Sequence, residues 1–360
     1  MLYKFVKRSE ITQRKSIEIR TVAILLALLV SALFILILDL NPLEVYLAMI
    51  KGAFGSSYRI KQTIINTIPL VITSLGIAIA FKMKFWNIGA EGQIMMGAFA
   101  ASFFALRFPE LPPFLLLPLM MVAGIIGGGL WAVIPAFFKA QWETNETIVT
   151  LMMNYIALKW VTYLQYGPWR DQKALGFPKI PNFSENAILP NVFGVHIGWI
   201  FALVLIVLTY IFMNHSKLGF EIAVLGESDN TARYAGINIK KTIVIALLIS
   251  GGLSGLTGVI QASAVSNTLN VEISGGIGYT AIITTWLGSL SAPLILLVSI
   301  LFAALIQGGS FIQTAFGIPE AAALILEGMI LFFVLGSEFF VKYKLVKNVV
   351  YQPVAGKEEV

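Results

Sequence analysis

The 360-residue chain has no cysteine and only two histidines, His196 and His215. Without cysteine there is no disulfide, no thiolate nucleophile and no Cys-ligated metal. Two histidines are too few for a His-rich metal site. Charge is scarce as well: Lys, Arg, Asp and Glu make up 12% of the residues, about half the share of an average soluble domain. Hydrophobic residues make up 58%, and the mean hydropathy is +0.84. These figures exclude a disordered chain, a coiled coil and an ordinary soluble enzyme. No G-x-x-x-x-G-K-[ST] phosphate loop is present, so ATP is not bound by that route. No acidic-and-histidine relay of the kind used by many proton-coupled pumps runs through the apolar runs. The metal cluster, paired acids or Ser-His arrangement of a membrane-embedded enzyme are also missing. The net charge of +6 does not point to nucleic acid, because the basic residues lie in short segments between apolar runs.

What remains is a series of apolar runs, at roughly 21–40, 63–81, 89–107, 114–138, 146–165, 198–213, 241–262, 277–289, 292–312 and 319–336. They predict an all-α polytopic membrane protein of about ten transmembrane helices. The eighth run is short and flanked by Gly275, Gly276, Gly278 and Gly288. It reads as a short or broken helix, with a re-entrant path left open. The first run follows a basic flank like a signal peptide, but Asp39-Leu40-Asn41-Pro42 offers no small-x-small cleavage site, which predicts an uncleaved anchor.

Basic residues orient the spans. With a cytoplasmic N-terminus and ten spans, 17 of the 25 Lys and Arg fall on the inside, seven outside, and Lys159 alone within a span. The C-terminus is then cytoplasmic, with Lys342, Lys344, Lys347 and Lys357. The expected organisation is a cytoplasmic tail over 1–20, a transmembrane domain over 21–338 and a cytoplasmic tail over 339–360. The extracytoplasmic loop 166–197, with Pro168, Pro178, Pro181 and Pro190, is expected to be an irregular cap with room for a binding partner. In the cytoplasmic loop 214–240, Ser228 or Asp229 is a good N-cap and Gly236 a good C′ residue. They bracket a helix of about two turns carrying Arg233 and Tyr234, too short to persist alone in water. It is either an ordinary ordered loop or a docking element for a cytoplasmic partner.

Trp86-Asn87-Ile88-Gly89-Ala90-Glu91-Gly92-Gln93-Ile94-Met95-Met96-Gly97-Ala98 resembles the F-N-I-G-x-E-G-Q-x-x-x-G-A signature of bacterial ABC importer permeases of the branched-chain amino acid, ribose and simple sugar family. The cytoplasmic loop, from Leu218-Gly219-Phe220-Glu221 through Gly226-Glu227 to Ala232-Arg233-Tyr234-Ala235-Gly236-Ile237, is similar to that family's coupling segment. The stretch Glu143–Tyr155 and the outer loop with Gly167-Pro168, Arg170-Asp171 and Gly176-Phe177-Pro178 resemble the nucleoside-type branch. The resemblance covers about residues 63–338. It implies a permease subunit in a bacterial cell membrane, binding no cofactor itself, with ATP on a separate cytoplasmic ABC ATPase. A second, related permease chain and an extracytoplasmic substrate-binding protein or lipoprotein would complete the assembly. Gly219, Glu221, Gly226, Glu227, Arg233, Tyr234 and Gly236 would couple to the ATPase. The other reading of the chain is a self-sufficient secondary transporter or channel for a small polar solute.

Candidates for the translocation path are the polar span residues Asn87, Glu91, Gln93, Asn154, Thr280, Thr284, Trp286 and Glu327. A nucleoside or sugar needs neutral hydrogen-bonding groups and an aromatic surface, not a counter-charge. Glu91 follows a glycine-flanked break expected near the cytoplasmic end of its span. It is either a hinge or pore-side contact, or, with Gln93, a cap for the exposed backbone of an irregular helix start, which hydrocarbon demands. Thr280, Thr284 and Trp286 sit on the short eighth segment, where broken helices often line cavities; the alternative is helix packing. Glu327 and Lys159 are the ionisable residues best placed inside spans, Lys159 being able to snorkel outward. Gly275–Gly278 loosely matches Gly89–Gly92, which allows an inverted repeat with the two breaks on opposite faces.

Overall fold

The computed structural model describes residues 3–8 and 12–347; the rest of the C-terminal tail expected over 339–360, with Lys357, lies outside the described residues. The helices are α1 (Gln13–Ile37), α2 (Pro42–Phe54), α3 (Ser57–Lys82), α4 (Ala90–Arg107), α5 (Pro113–Trp142), α6 (Glu146–Tyr166), α7 (Gly198–His215), α8 (Lys217–Glu227), α9 (Asp229–Tyr234), α10 (Ile239–Ile260), α11 (Ile277–Leu287), α12 (Ala292–Phe316) and α13 (Glu320–Lys342). Each of the ten expected apolar runs holds a helix. Among the described residues, seven helices are long and apolar enough to cross a membrane, namely α1, α3, α5, α7, α10, α12 and α13. The other three of the ten carry too much polarity or too little length: α4 has Glu91, Gln93 and Arg107, α6 has Glu146, Asn154 and Lys159, and α11 has 11 residues.

Side-chain caps set several boundaries. Asn145 Oδ1 accepts from the Thr147 and Ile148 N–H groups at the start of α6 (3.0 and 3.3 Å), and Asn238 Oδ1 from Lys241 N–H at the start of α10 (3.1 Å). Such caps satisfy N–H groups that the first helical turn leaves without partners. The loop 214–240 is not an extended connector. It is two helices, α8 started by Ser216, whose Oγ accepts from Gly219 N–H, and α9. α9 ends as the sequence predicts, with Gly236 at φ +71°, Gly236 N–H on Arg233 C=O and Ile237 N–H on Ala232 C=O.

The chain divides into two units, Met1–Ala48 with Gly309–Val360, and Met49–Gly308. In the second unit α3, α4 and α5 pack on α10 through small residues. A Cβ at Gly97 would lie 2.3 Å from the Gly255 Cα, so the backbones of α4 and α10 touch. Close backbone approach of this kind replaces the hydrophobic drive that lipid removes. In the first unit α1 packs on α13, with Arg20 Nη2 2.7 Å from Glu338 Oε1. Two strands that the sequence reading lacks, β1 (Tyr3–Lys7) and β4 (Tyr343–Lys347), pair antiparallel.

The loop 166–197 is more ordered than expected. A short hairpin joins β2 (Asn191–Val192) to β3 (Val195–His196), and Phe183 N–H donates to Asn267 C=O (2.9 Å). His196 is 2% exposed, its ring lies over Gly198, and neither ring nitrogen has a hydrogen-bond partner. Burial pushes its pKa down to about 4. The unfolded chain takes up this proton near pH 6.5 and the folded chain only near 4, so folding weakens as pH falls through that window, by about 1.4 kcal/mol per pH unit. Thermal unfolding midpoints between pH 7 and 4.5 should fall more steeply in the parent than in His196→Phe; equal slopes would show that the imidazole does not titrate this way.

Candidate functional site at two joined helix starts

The starts of α4 and α11 meet. Glu91, in the first turn of α4, accepts the Gly276 N–H on Oε1 (2.8 Å) and the Gly278 N–H on Oε2 (2.7 Å). The Ser274 hydroxyl and the Tyr279 N–H also bond to this carboxylate. Gly276 is the N-cap of α11, so one carboxylate takes up N–H groups that this helix start would leave bare. It also lies at the positive dipole ends of both helices. Side-chain space is absent here: a Cβ at Gly278 would lie 2.5 Å from the Glu91 backbone nitrogen. Glu91 is 7% exposed. A charge in hydrocarbon costs at least about 2.5 kcal/mol, and here four donors offset that cost.

The neighbouring polar residues serve the same break. Asn154 of α6 accepts the Gly92 N–H (2.9 Å) and donates to the Ile88 C=O (2.9 Å) and to the Tyr279 hydroxyl (3.4 Å). Asn87 Oδ1 accepts from Gly89 N–H (3.1 Å) and Gln93 Nε2 (3.0 Å), while Asn87 Nδ2 donates to Gln93 Oε1 and Ser250 Oγ (3.3 Å each). Asn87 and Gln93 are buried within this network. Gln93 therefore serves the Asn87 side chain, and Glu91 caps α11 rather than the backbone of its own helix.

Two expectations change. Ser250, which Asn87 reaches, lies 11 residues past the start of the 22-residue α10, roughly 16 Å along its axis. The break is thus level with the middle of α10, not near one end of its span. The two glycine-rich openings do not lie on opposite faces: they touch, because Glu91 bridges them. The helices leave this point in opposite directions. Ser74 and Phe81 of α3 meet Thr285 and Trp286 in order, so α11 runs parallel to α3. Thr73 meets Thr257 and Gly76 meets Ser250, so α10 runs antiparallel to α3, and α4, with Asn87 at Ser250 and Gly97 at Gly255, follows α10.

The stretch from Asn267 to Ser291, which contains the eighth segment 277–289, runs from one end of the unit to the other. Thr268 Oγ1 donates to the Ile180 C=O (3.0 Å) at the 166–197 end, and Ser289–Ser291 share a cavity wall with Lys82 and Asn214 at the other. Its first half, 267–276, is irregular and its second half is α11, about 16 Å long, half of a ~30 Å hydrocarbon core. On α11, Thr284 is fully buried and shares hydrogen bonds with Ser74 and the Ala281 C=O. Thr280 is half-buried. Trp286 packs with Phe81 and Trp86, ring centroids 5.4–5.6 Å apart. Trp86, Tyr155 and Tyr279 are exposed beside the joined starts (46, 55 and 42%). The sequence reading did not single out Trp86 or Tyr279, though both are aromatics flanking glycine breaks.

Glu327 belongs to the other unit. Its carboxylate lies over Gly309, where a Cβ would lie 1.9 Å from Oε1. Lys159 is exposed on α6. Of the coupling candidates, Gly226 presses on α3, since a Cβ there would lie 2.0 Å from the Lys82 C=O. Gly219 presses likewise on Phe212 C=O. Glu221 Oε2 accepts from Thr242 Oγ1 (3.2 Å), the Glu227 C=O accepts from Lys84 Nζ (3.3 Å), and Arg233 and Tyr234 are exposed.

Residues 59–335 match the family described as branched-chain amino acid transport system / permease component. The chain belongs to this family. A glucose ABC transporter permease protein of Haloferax volcanii is 32% identical over 335 residues, 89% of this chain and 88% of the relative. A guanosine ABC transporter permease protein of Bacillus subtilis is 32% identical over 325 residues, 88% and 92% of the two chains. A nucleoside ABC transporter permease protein of Lactococcus lactis is 30% identical over 345 residues, 92% and 94%. The last two organisms each contribute a second permease of the same printed substrate at lower identity, 26% and 24%. The permease is therefore a multi-pass cell membrane protein and a transport component rather than an enzyme.

Removing the cap should open the junction. Glu91→Ala leaves the Gly276 and Gly278 N–H groups without acceptors, at about 1–3 kcal/mol each. The thermal midpoint of the purified permease in detergent should fall sharply, with Glu91→Gln intermediate because one acceptor oxygen remains. An unchanged midpoint in Glu91→Ala would mean that the carboxylate does not hold α11.

Proposed function

We propose that this permease forms the translocation pathway of an ABC importer for nucleosides or related simple sugars, working by alternating access. The observation that carries the reading is that Glu91, the charge at the junction, is fully engaged by backbone and hydroxyl donors. What is left at the joined starts themselves is neutral and aromatic, Tyr155, Tyr279, Trp86 and the half-buried Thr280, and the exposed charge on the segment leading into α11 is Glu272, four residues before its N-cap. A zwitterionic amino acid would want a counter-charge for each of its groups; a nucleoside or sugar wants hydrogen bonds and a ring to stack on. The relatives' printed substrates, glucose, guanosine and nucleoside, agree with a neutral solute.

In this reading the ten apolar helices span with both termini cytoplasmic, and Asn87, Gln93, Asn154 and Thr284 hold the shape of the path rather than touch the solute. Two opposed helix starts at one depth suit an inverted repeat whose halves meet there. A second, related permease chain completes the path, as the paired Bacillus and Lactococcus relatives suggest. A separate ABC ATPase holds the ATP and docks on α8 and α9, and an extracytoplasmic binding protein or lipoprotein delivers substrate. Ile222 and Leu225 of α8 share a buried cluster with Ile79, Met83 and Phe85, which lead directly to the break. Displacing α8 therefore loads the segment 83–89 and, through it, the Glu91 junction. Differential binding of the ATPase to the two states is what shifts them.

Proteoliposomes carrying the full assembly should hydrolyse ATP faster with nucleoside and binding protein present, and the chain alone should show no hydrolysis. Gly226→Val, which collides with the Lys82 carbonyl, and Arg233→Glu should retain insertion and ATP hydrolysis while losing most nucleoside uptake. Uptake by the chain alone down an ion gradient would refute the reading, and normal uptake in both variants would remove α8 and α9 from coupling.

A further inference from the structure

Two segments 340 residues apart have nearly the same sequence: Tyr3-Lys4-Phe5-Val6-Lys7 and Tyr343-Lys344-Leu345-Val346-Lys347. They pair as β1 and β4, with Phe5 opposite Leu345 and Val6 opposite Lys344. The ribbon joins the ends of α1 and α13, two helices apolar enough to cross a membrane. It thus sits where these helices reach the headgroup layer. Its surroundings are basic. Residues 1–20 carry six Lys and Arg against two Glu, and 342–347 adds three lysines and no acid. The acids on α1 and α13 nearest the ribbon already have cations: Glu18 lies 3.4 Å from Arg14 and Glu338 2.7 Å from Arg20. Lys7 and Lys344 are exposed.

Arg8 extends the ribbon toward the helices. Its N–H donates to the Lys342 C=O (2.9 Å) and its Nε to the Tyr343 C=O (3.3 Å), which fixes the guanidinium at the end of α13 with further N–H groups to offer. Arg8 also lines a cavity of about 570 Å³ between α1 and α13. Glu18, paired with Arg14, and then Ile19, Val22 and Leu26 form one wall, and Phe332, Gly336 and Phe340 the other. Gly336 leaves the wall open, with nothing within 4 Å of where a Cβ would stand.

We propose that α1, α13 and the β1–β4 ribbon bind an anionic phospholipid, with an acyl chain in the crevice and the phosphate at Arg8 and Lys344, which share one face of the ribbon because Lys344 stands opposite Val6. The order of chemistry along the site, an apolar slot and then a guanidinium with an ammonium group on the same ribbon face, is the order along such a lipid. A second chain or an apolar helix would fill the slot without using the cations. A soluble phosphate would use the cations without the slot. Juxtamembrane lysines and arginines gain attraction from anionic headgroups that a zwitterionic lipid does not supply.

Native mass spectrometry of the purified full-length chain with equimolar phosphatidylglycerol and phosphatidylcholine tests this. The parent should retain phosphatidylglycerol over phosphatidylcholine by about fivefold or more, a ratio set by one or more cation contacts, and millimolar inorganic phosphate should not displace it. Gly336→Leu fills the slot at unchanged charge and should lose the retained lipid. Arg8→Ala should lose the preference and Arg8→Lys recover most of it. Equal retention of the two lipids by the parent overturns the proposal whatever the variants do. So does displacement by inorganic phosphate, parental retention in folded Gly336→Leu, or a chain dimer in place of the lipid adduct.

Discussion

A helix that starts inside a protein has N–H groups with no water to take them, and that constraint organises this permease. α11 begins level with the middle of α10, and the Glu91 carboxylate receives its first donors. Asn154 does the same for α4 at Gly92. The glycines follow from the caps: only a residue without a Cβ lets the start of α11 lie against the Glu91 backbone. One buried charge thereby supports a helix start inside the unit that no apolar packing alone would stabilise.

The same arrangement makes sense of where polarity is spent. Asn87 and Gln93 bond to each other, Asn154 bonds to the Ile88 and Gly92 backbone, and Glu91 takes the start of α11, all around the break. The polar signature is thus a scaffold, and the surface beside it is left to neutral aromatics. In the proposed cycle this scaffold is what moves. α8 lies against Lys82 and Phe85, and the chain from Phe85 to Glu91 is short. A rigid, fully bonded junction transmits a displacement that a solvated loop would absorb.

Much of this was legible in the sequence, for local reasons. The run 63–81 lies within α3 (Ser57–Lys82) and 114–138 within α5 (Pro113–Trp142), because long apolar stretches have no alternative in lipid. The end of α9 was legible in Gly236, which the left-handed turn requires. The helix α8 was not, because Lys217–Glu227 is short and polar enough to read as a connector and is held by packing on α3. The depth of the break was hidden, since Phe85, Trp86 and Ile88 continue the apolar pattern through an irregular segment. The partners of Glu91 lie 185 and 187 residues away, and no local pattern encodes such a pairing. The β1–β4 ribbon did leave a signal, the repeated Tyr-Lys-x-Val-Lys, but at a separation where strand pairing is not sought.

Amide hydrogen exchange at residues 275–279 measures the central claim directly. If Glu91 caps α11, the Gly276 and Gly278 amides of the intact permease exchange slowly, as bonded groups buried from solvent do, and in Glu91→Ala they exchange much faster while α3 and α10 keep their protection. Equal exchange at these two amides in parent and variant would contradict the account.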